Sequence, residues 1–246
     1  MRRFLTMYKI EQKLFLKSPD VFVFNLAMPV VTLFLIGLIA GEKMAGSSGM
    51  TFLQSSFAAI CAVGICCSAF MSIPIVIVDY RNKKILKRLY CSPCSPARLL
   101  AADVMCSSVT SALSVIGVTL VATIGLGYRM KGNPIVFAGA WFITMISMFS
   151  IGLMVASLCR TNKSLNVATS LLYFPMLLFS GATVPFELFP EGMQKVAGIM
   201  PLSVGIRVMK AASMGEYQQS MLTDLAILVV IAVVCSAIAV KTFRWE

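Results

Sequence analysis

Few residue combinations in this chain can do covalent chemistry. It has no histidine, which removes histidine-based triads, imidazole metal sites and the commonest general base. No stretch fits G-x-x-x-x-G-K-[ST], the loop whose backbone amides cradle phosphates. The nearest fragment, Lys163-Ser164, follows Arg160, Thr161 and Asn162 without a glycine and reads as an ordinary loop. Cys91-Ser92-Pro93-Cys94 has the C-x-x-C spacing of a dithiol or half a zinc site. No second pair accompanies it, so Cys91 and Cys94 read as fortuitous thiols in a reducing compartment, and no metal site is expected. The 17 methionines are scattered rather than clustered, which fits apolar packing better than soft-metal transport.

What remains is binding and mechanical chemistry. Asn25, Gln54 and Asn166 are the main amides in or near apolar stretches; they are candidates to line a pathway, although such amides ordinarily bond a neighbouring helix. The stretch Asp79 to Asp103, DYRNKKILKRLYCSPCSPARLLAAD, alternates basic residues with Ile85, Leu86, Leu89 and Tyr90. At helical spacing this gives a basic amphipathic helix stopping near Ser92-Pro93. Such a helix can lie on anionic lipid or offer a face to a soluble partner.

The elements that must position these residues follow from composition. Of 246 residues, 59% are hydrophobic and 13% charged, with mean hydropathy +0.88, which excludes a soluble globular protein and a sizeable extramembrane catalytic domain. A bilayer span uses about 20 apolar residues, and six stretches qualify: five charge-free at 21–40, 52–78, 104–127, 135–158 and 165–184, and a sixth at 222–243 whose charge-free core, 225–240, borrows flanking residues at both ends. Pro29, Pro74 and Pro175 are placed to kink three of them. The spans hold no mid-membrane Asp, Glu, Lys or Arg, which argues against energy coupling by protons.

With the N-terminus inside, 15 of the 21 Lys and Arg fall on the inner side and 6 on the outer, so an N-in, C-in orientation is expected. The net charge of +11 is then topological, and nucleic acid is not an expected partner. The segment Met1 to Pro19 reads as an amphipathic helix on the inner membrane surface, with Phe4, Met7, Tyr8, Leu14 and Phe15 opposite Thr6, Lys9, Lys13 and Lys17. Glu11 falls within the apolar side; a snorkelling, solvated carboxylate is favoured over a buried one paired with a basic residue of a later loop. On the outer side, Gly181 to Lys210 contains Pro190 and Pro201, each ahead of a short helix-permitting stretch. These stretches, within 185–214, read as short re-entrant or interfacial helices.

Together these features resemble the membrane subunit of type 2 ABC exporters. Three places carry the likeness: Lys17-Ser18-Pro19-Asp20 entering a span with Pro29; Leu86-Lys87-Arg88-Leu89 followed by Ser92-Pro93-Cys94-Ser95; and Ser180-Gly181, Pro185, Pro190 and Pro201-Leu202 before the last span. The resemblance implies one permease domain over 1–246: an all-α integral membrane protein with six spans, an N-terminal interfacial helix, an inner coupling loop and outer re-entrant helices. It implies ATPase coupling through Arg81, Lys83, Lys84, Leu86, Lys87, Arg88, Leu89, Ser92 and Pro93, and an outer gate at Gly181, Pro185, Pro190 and Pro201. The partners it implies are two copies of an ATP-binding subunit, which hold ATP and Mg, and a second permease subunit, identical or homologous, all at the bacterial cytoplasmic membrane. No cofactor is expected in this chain. Export of an apolar or amphiphilic substrate follows, such as an antibiotic, drug, peptide or lipid-like molecule. The alternatives are a lipid-linked polysaccharide or wall-polymer exporter, and a non-transporting sensor or scaffold.

Overall fold

The computed structural model describes residues 2–17, 23–40, 52–85, 96–180, 192, 198–215 and 219–243, and the described residues contain helices and no strand. Among the described residues, four helices are long and apolar enough to cross a membrane: Phe52–Asn82, Arg98–Gly125, Pro134–Leu158 and Gln219–Thr242. We number the helices α1 (Arg2–Lys17), α2 (23–40), α3 (Phe52–Asn82), α4 (96–125), α5 (Pro134–Leu158), α6 (Asn162–Phe179), α7 (Pro201–Met214) and α8 (Gln219–Thr242). The expected spans at 21–40 and 165–184 correspond to α2 and α6. An 18-residue helix such as α6 rises about 27 Å against an apolar layer of about 30 Å.

Local sequence explains the helix ends and breaks. Asn133 caps α5, its side chain accepting from the Ile135 amide, with Pro134 at the first position where a missing N–H costs nothing. Thr161 and Ser164 form a capping box at the start of α6. Two of the three expected proline effects take a specific form. In α2 the turns Val23–Ala27, ahead of Pro29, widen to π-helical geometry, and in α3 the turns Ser68–Ser72, ahead of Pro74, do the same. Proline has no N–H to give the carbonyl four residues back, so the ladder re-spaces: the Ile73 amide donates to the Ser68 carbonyl five residues earlier.

The wide turn in α3 sets the packing of α5. A β-carbon built on Gly152 would overlap the Ala69 carbonyl oxygen, so only glycine lets α5 approach that turn. Helix α3 is the centre of the bundle, with 78% of its apolar window buried, whereas only 17% of that of α8 is buried. Phe57, Ile60, Ile65, Phe70, Ile73 and Ile77 of α3 are all fully or almost fully enclosed. Helix α8 lies along α5, tied by the hydroxyl pairs Ser150–Ser236 at 3.0 Å and Ser157–Thr242 at 2.8 Å. Its remaining surface, including Leu222, Val230, Val233 and Val240, is exposed and apolar, as suits a lipid-facing helix.

Candidate functional site

Three consecutive residues at the end of α3 point in three directions, because successive helical positions are about 100° apart. Tyr80 donates its hydroxyl to Glu11 of α1, with oxygen separations of 2.8 and 2.7 Å to the two carboxylate oxygens. Arg81 donates to the Cys159 carbonyl at 2.9 Å and the Ala156 carbonyl at 3.2 Å, closing the C-terminal end of α5. The same guanidinium lies 5.5 Å from the ring centre of Phe243, just beyond α8. Asn82 donates to the Asn162 side-chain oxygen at 3.0 Å, at the first residue of α6. One end of one helix is thereby fastened to α1, α5, α6 and the end of α8.

This overturns the favoured reading of Glu11. It is 7% exposed rather than solvated, and its partner is a phenol rather than a basic residue. Burial raises its pKa, the Tyr80 hydrogen bond offsetting part of the rise. A tyrosine can satisfy a carboxyl there without bringing a second charge into a low-dielectric setting.

Beyond this hub α3 stops. Lys84 takes a left-handed conformation (φ 54°), and its amide reaches the Arg81 carbonyl at 2.9 Å. Lys83 pairs with Asp79 at 2.7 Å on an exposed surface, a pair that contributes little. Of the expected coupling residues, Arg81, Lys83 and Lys84 therefore sit at this end of α3. Leu86, Lys87, Arg88, Leu89, Ser92 and Pro93 lie outside the described residues, as do Cys91 and Cys94.

The expected pathway amides are not brought together. Asn25 is 1% exposed, inside the bundle. Gln54 is half-buried near the opposite end of α3, where Lys210 of α7 donates to Ser55 at 3.0 Å. Asn166 is exposed on α6, in a shallow groove with Val167, Ser170, Leu171, Phe174 and Pro175. Of the outer-gate residues, Pro201 opens α7 at its first position, after Met200. Gly181, Pro185 and Pro190 lie outside the described residues, as does most of the first short outer helix. Helix α7 is anchored by Arg207, which grips both oxygens of Asp224 (3.0 and 2.9 Å) and donates to the Gly198 carbonyl at 3.0 Å.

The hub residues Tyr80, Asn82, Asn162 and Phe243 are absent from the sequence-derived set. Their only signal is that the helical pattern continues past Val78 into polar residues.

The pattern of the ABC-2 type transporter family matches residues 2–213. The chain belongs to that family. It is a permease subunit, a multi-pass protein of the bacterial inner membrane, and ATP hydrolysis belongs to a separate partner. Among curated proteins, this permease is 21% identical over 221 residues to Nodulation protein J of Rhizobium leguminosarum bv. viciae, covering 89% of this chain and 85% of that one. It is 23% identical over 224 residues to Nodulation protein J of Bradyrhizobium diazoefficiens, covering 89% and 84%. The Rhizobium meliloti protein of the same name is 22% identical over 193 residues, covering 78% and 73%.

Proposed function

We propose that this permease is half of the membrane part of an ATP-driven exporter of an amphiphilic substrate, a single domain with six spans and both termini inside. Two ATP-binding subunits carrying ATP and Mg complete it, together with a second permease, identical or homologous. The match over residues 2–213 carries this reading. The hub at Tyr80, Arg81 and Asn82 supports it mechanically. A push on the coupling stretch 79–103 enters the bundle at the point where α3 is fastened to α1, α5, α6 and the end of α8. Packed helices so joined switch as units rather than deform one by one.

The groove on α6 supports a second membrane subunit. Val167, Leu171 and Phe174 are 68%, 71% and 54% exposed, as lipid contact allows, but Asn166 and Ser170 interrupt them. Polar side chains facing hydrocarbon without partners are costly, so this face is covered by the second permease and borders the substrate path. A path that mixes amide, hydroxyl and apolar groups, without charge, fits a substrate with both polar and apolar parts. The relatives are named for nodulation, and nothing in their names points to drug or antibiotic efflux; that end of the expected range has no support from them.

The test is an affinity pull-down of the tagged permease in mild detergent with identification of co-purifying chains. A stoichiometric soluble ATP-binding subunit is expected. Its reproducible absence overturns the exporter reading in favour of a sensor or scaffold.

A further inference from the structure

Among the described residues, eight buried side chains have an oxygen without a hydrogen-bond partner; besides Tyr128 and Ser147, these are six on α2, α3 and α4, namely Asn25, Ser68, Ser72, Asp103, Ser107 and Ser111. None of these six is more than 2% exposed. Their positions form a line. Asp103, Ser107 and Ser111 are spaced by four along α4, so they share one face. A β-carbon on Gly64 of α3 would sit 2.9 Å from the Ser114 hydroxyl oxygen and 3.7 Å from the Pro29 ring, so α2, α3 and α4 meet at that level. Helices α3 and α4 run antiparallel there, because α1 meets both at the other end: Glu11 accepts from Tyr80, and the Tyr8 carbonyl accepts from Cys106 at 3.7 Å. One turn from Gly64 toward Tyr80, the register brings Asn25, Ser68 and Ser111 to one level. The next turn holds Ser72 and Ser107, and the next Asp103, beside Glu11 and Tyr80. The line from Ser114 to Asp103 is about 16 Å long at 1.5 Å per residue.

Hydroxyls elsewhere on α4 behave differently. Ser108, Thr110, Thr119 and Thr123 turn back onto carbonyls four residues earlier at 2.8, 3.1, 2.7 and 2.8 Å, the usual way a helical hydroxyl satisfies itself in an apolar setting. Ser107 and Ser111, on the inward face, do not. Ser68 and Ser72 bracket the π turn, where the backbone ladder is already re-spaced. Buried polar atoms that bond neither protein nor self are the setting in which proteins hold internal water.

We propose that this seam is a binding site for ordered water, a file of molecules bridging Asn25 and Ser68 through Ser72, Ser107 and Ser111 to Asp103 within each permease. It lies between α4 and the helix that ends in the Tyr80 hub. Bridging waters let facing hydroxyls exchange partners as α3 shifts against α4, where direct bonds would have to break.

The test uses the unmodified permease with its partner chains in lipid nanodiscs and hydroxyl radicals generated by X-ray pulses, which form wherever water is held. Ile65 lies three and seven residues before Ser68 and Ser72, on their face of α3, whereas Ile77 lies on the opposite face of the same helix; both are 0% exposed. Oxidation of Ile65 is expected to run at least several-fold faster than that of Ile77, and equal slow rates overturn the proposal. Ser107→Ala and Ser111→Ala provide a second reading with opposite signs. Removing a hydroxyl that holds water lowers the thermal midpoint, whereas removing one that is merely unsatisfied and dry leaves it unchanged or raises it. The second pattern also overturns the seam.

Discussion

Replacing Tyr80 with phenylalanine removes one hydroxyl and nothing else from the contact between α3 and α1. Glu11, 7% exposed, then has no donor among the described residues, since both hydrogen bonds to its carboxylate come from that hydroxyl. Leaving a buried carboxyl unsatisfied costs about 1–3 kcal/mol, which is a shift of about 5- to 150-fold in the equilibrium between docked and undocked α1. Deuterium exchange at the α1 amides reads that equilibrium directly when opening is fast and reversible. Tyr80→Phe is therefore expected to speed exchange over α1 by 5-fold or more, while exchange in α5 stays unchanged. The pH dependence has a definite sign. Burial raises the Glu11 pKa above its ordinary value near 4.5, so the docked state holds the proton more tightly than the undocked state. Docking is then strongest below that ordinary value and weakens as pH rises through the raised one. Glu11→Gln removes the Glu11 share of this dependence, and combining it with Tyr80→Phe costs less than the sum of the two. If Tyr80→Phe leaves α1 exchange within about twofold of wild type, the hydrogen bond is not what docks α1, and the mechanical role given to the hub fails with it.

The other predictions are as follows. Arg81→Ala removes two charge-assisted bonds to the end of α5 and the contact with Phe243, a loss of about 2–4 kcal/mol; a lower thermal midpoint and weaker substrate-stimulated ATPase are expected. Arg81→Lys recovers only part, because one ammonium cannot fork between two carbonyls. Gly152→Ala forces a methyl against the Ala69 carbonyl and destabilises by about 1–3 kcal/mol; an unchanged midpoint in thermal unfolding would show that α5 and α3 do not meet there. Arg207→Ala breaks an ion pair whose arginine is 43% exposed, so it shifts the midpoint by less than about 1 kcal/mol, and a larger loss would mean that the pair is shielded from water. Leu89→Asp is expected to reach the membrane normally and to uncouple ATP hydrolysis from transport, and normal coupling would count against placing the docking face at that residue.

The apolar runs and prolines were the most legible parts of the chain. Charge-free stretches marked α3, α4, α5 and α8, and Pro29 and Pro74 announced disturbed turns whose π-helical form needed backbone geometry to see. The anomaly of Glu11 was legible, since a carboxylate on an apolar face is conspicuous; its partner was not, because Tyr80 is 69 residues away and a phenol carries no charge to suggest pairing. Arg81 enters the expected coupling set through the family resemblance, which implies an external partner, yet its hydrogen bonds turn inward to two carbonyls. Backbone acceptors have no sequence signature. The spacing of Asp103, Ser107 and Ser111 was there to read, but a helical serine can satisfy itself or reach outward, and only burial and geometry distinguish the two.

The grip of Arg81 also bears on how the chain is made. Its helix leaves the ribosome well before α5, whose carbonyls at Ala156 and Cys159 it caps, and before Phe243, over which it lies. During synthesis the guanidinium must wait at the membrane surface for acceptors that do not yet exist, and its last contact closes only after α8 has been inserted. Arg81 thus serves as a clasp whose full set of contacts exists only in a finished bundle, and a truncated chain leaves the same cation without its acceptors.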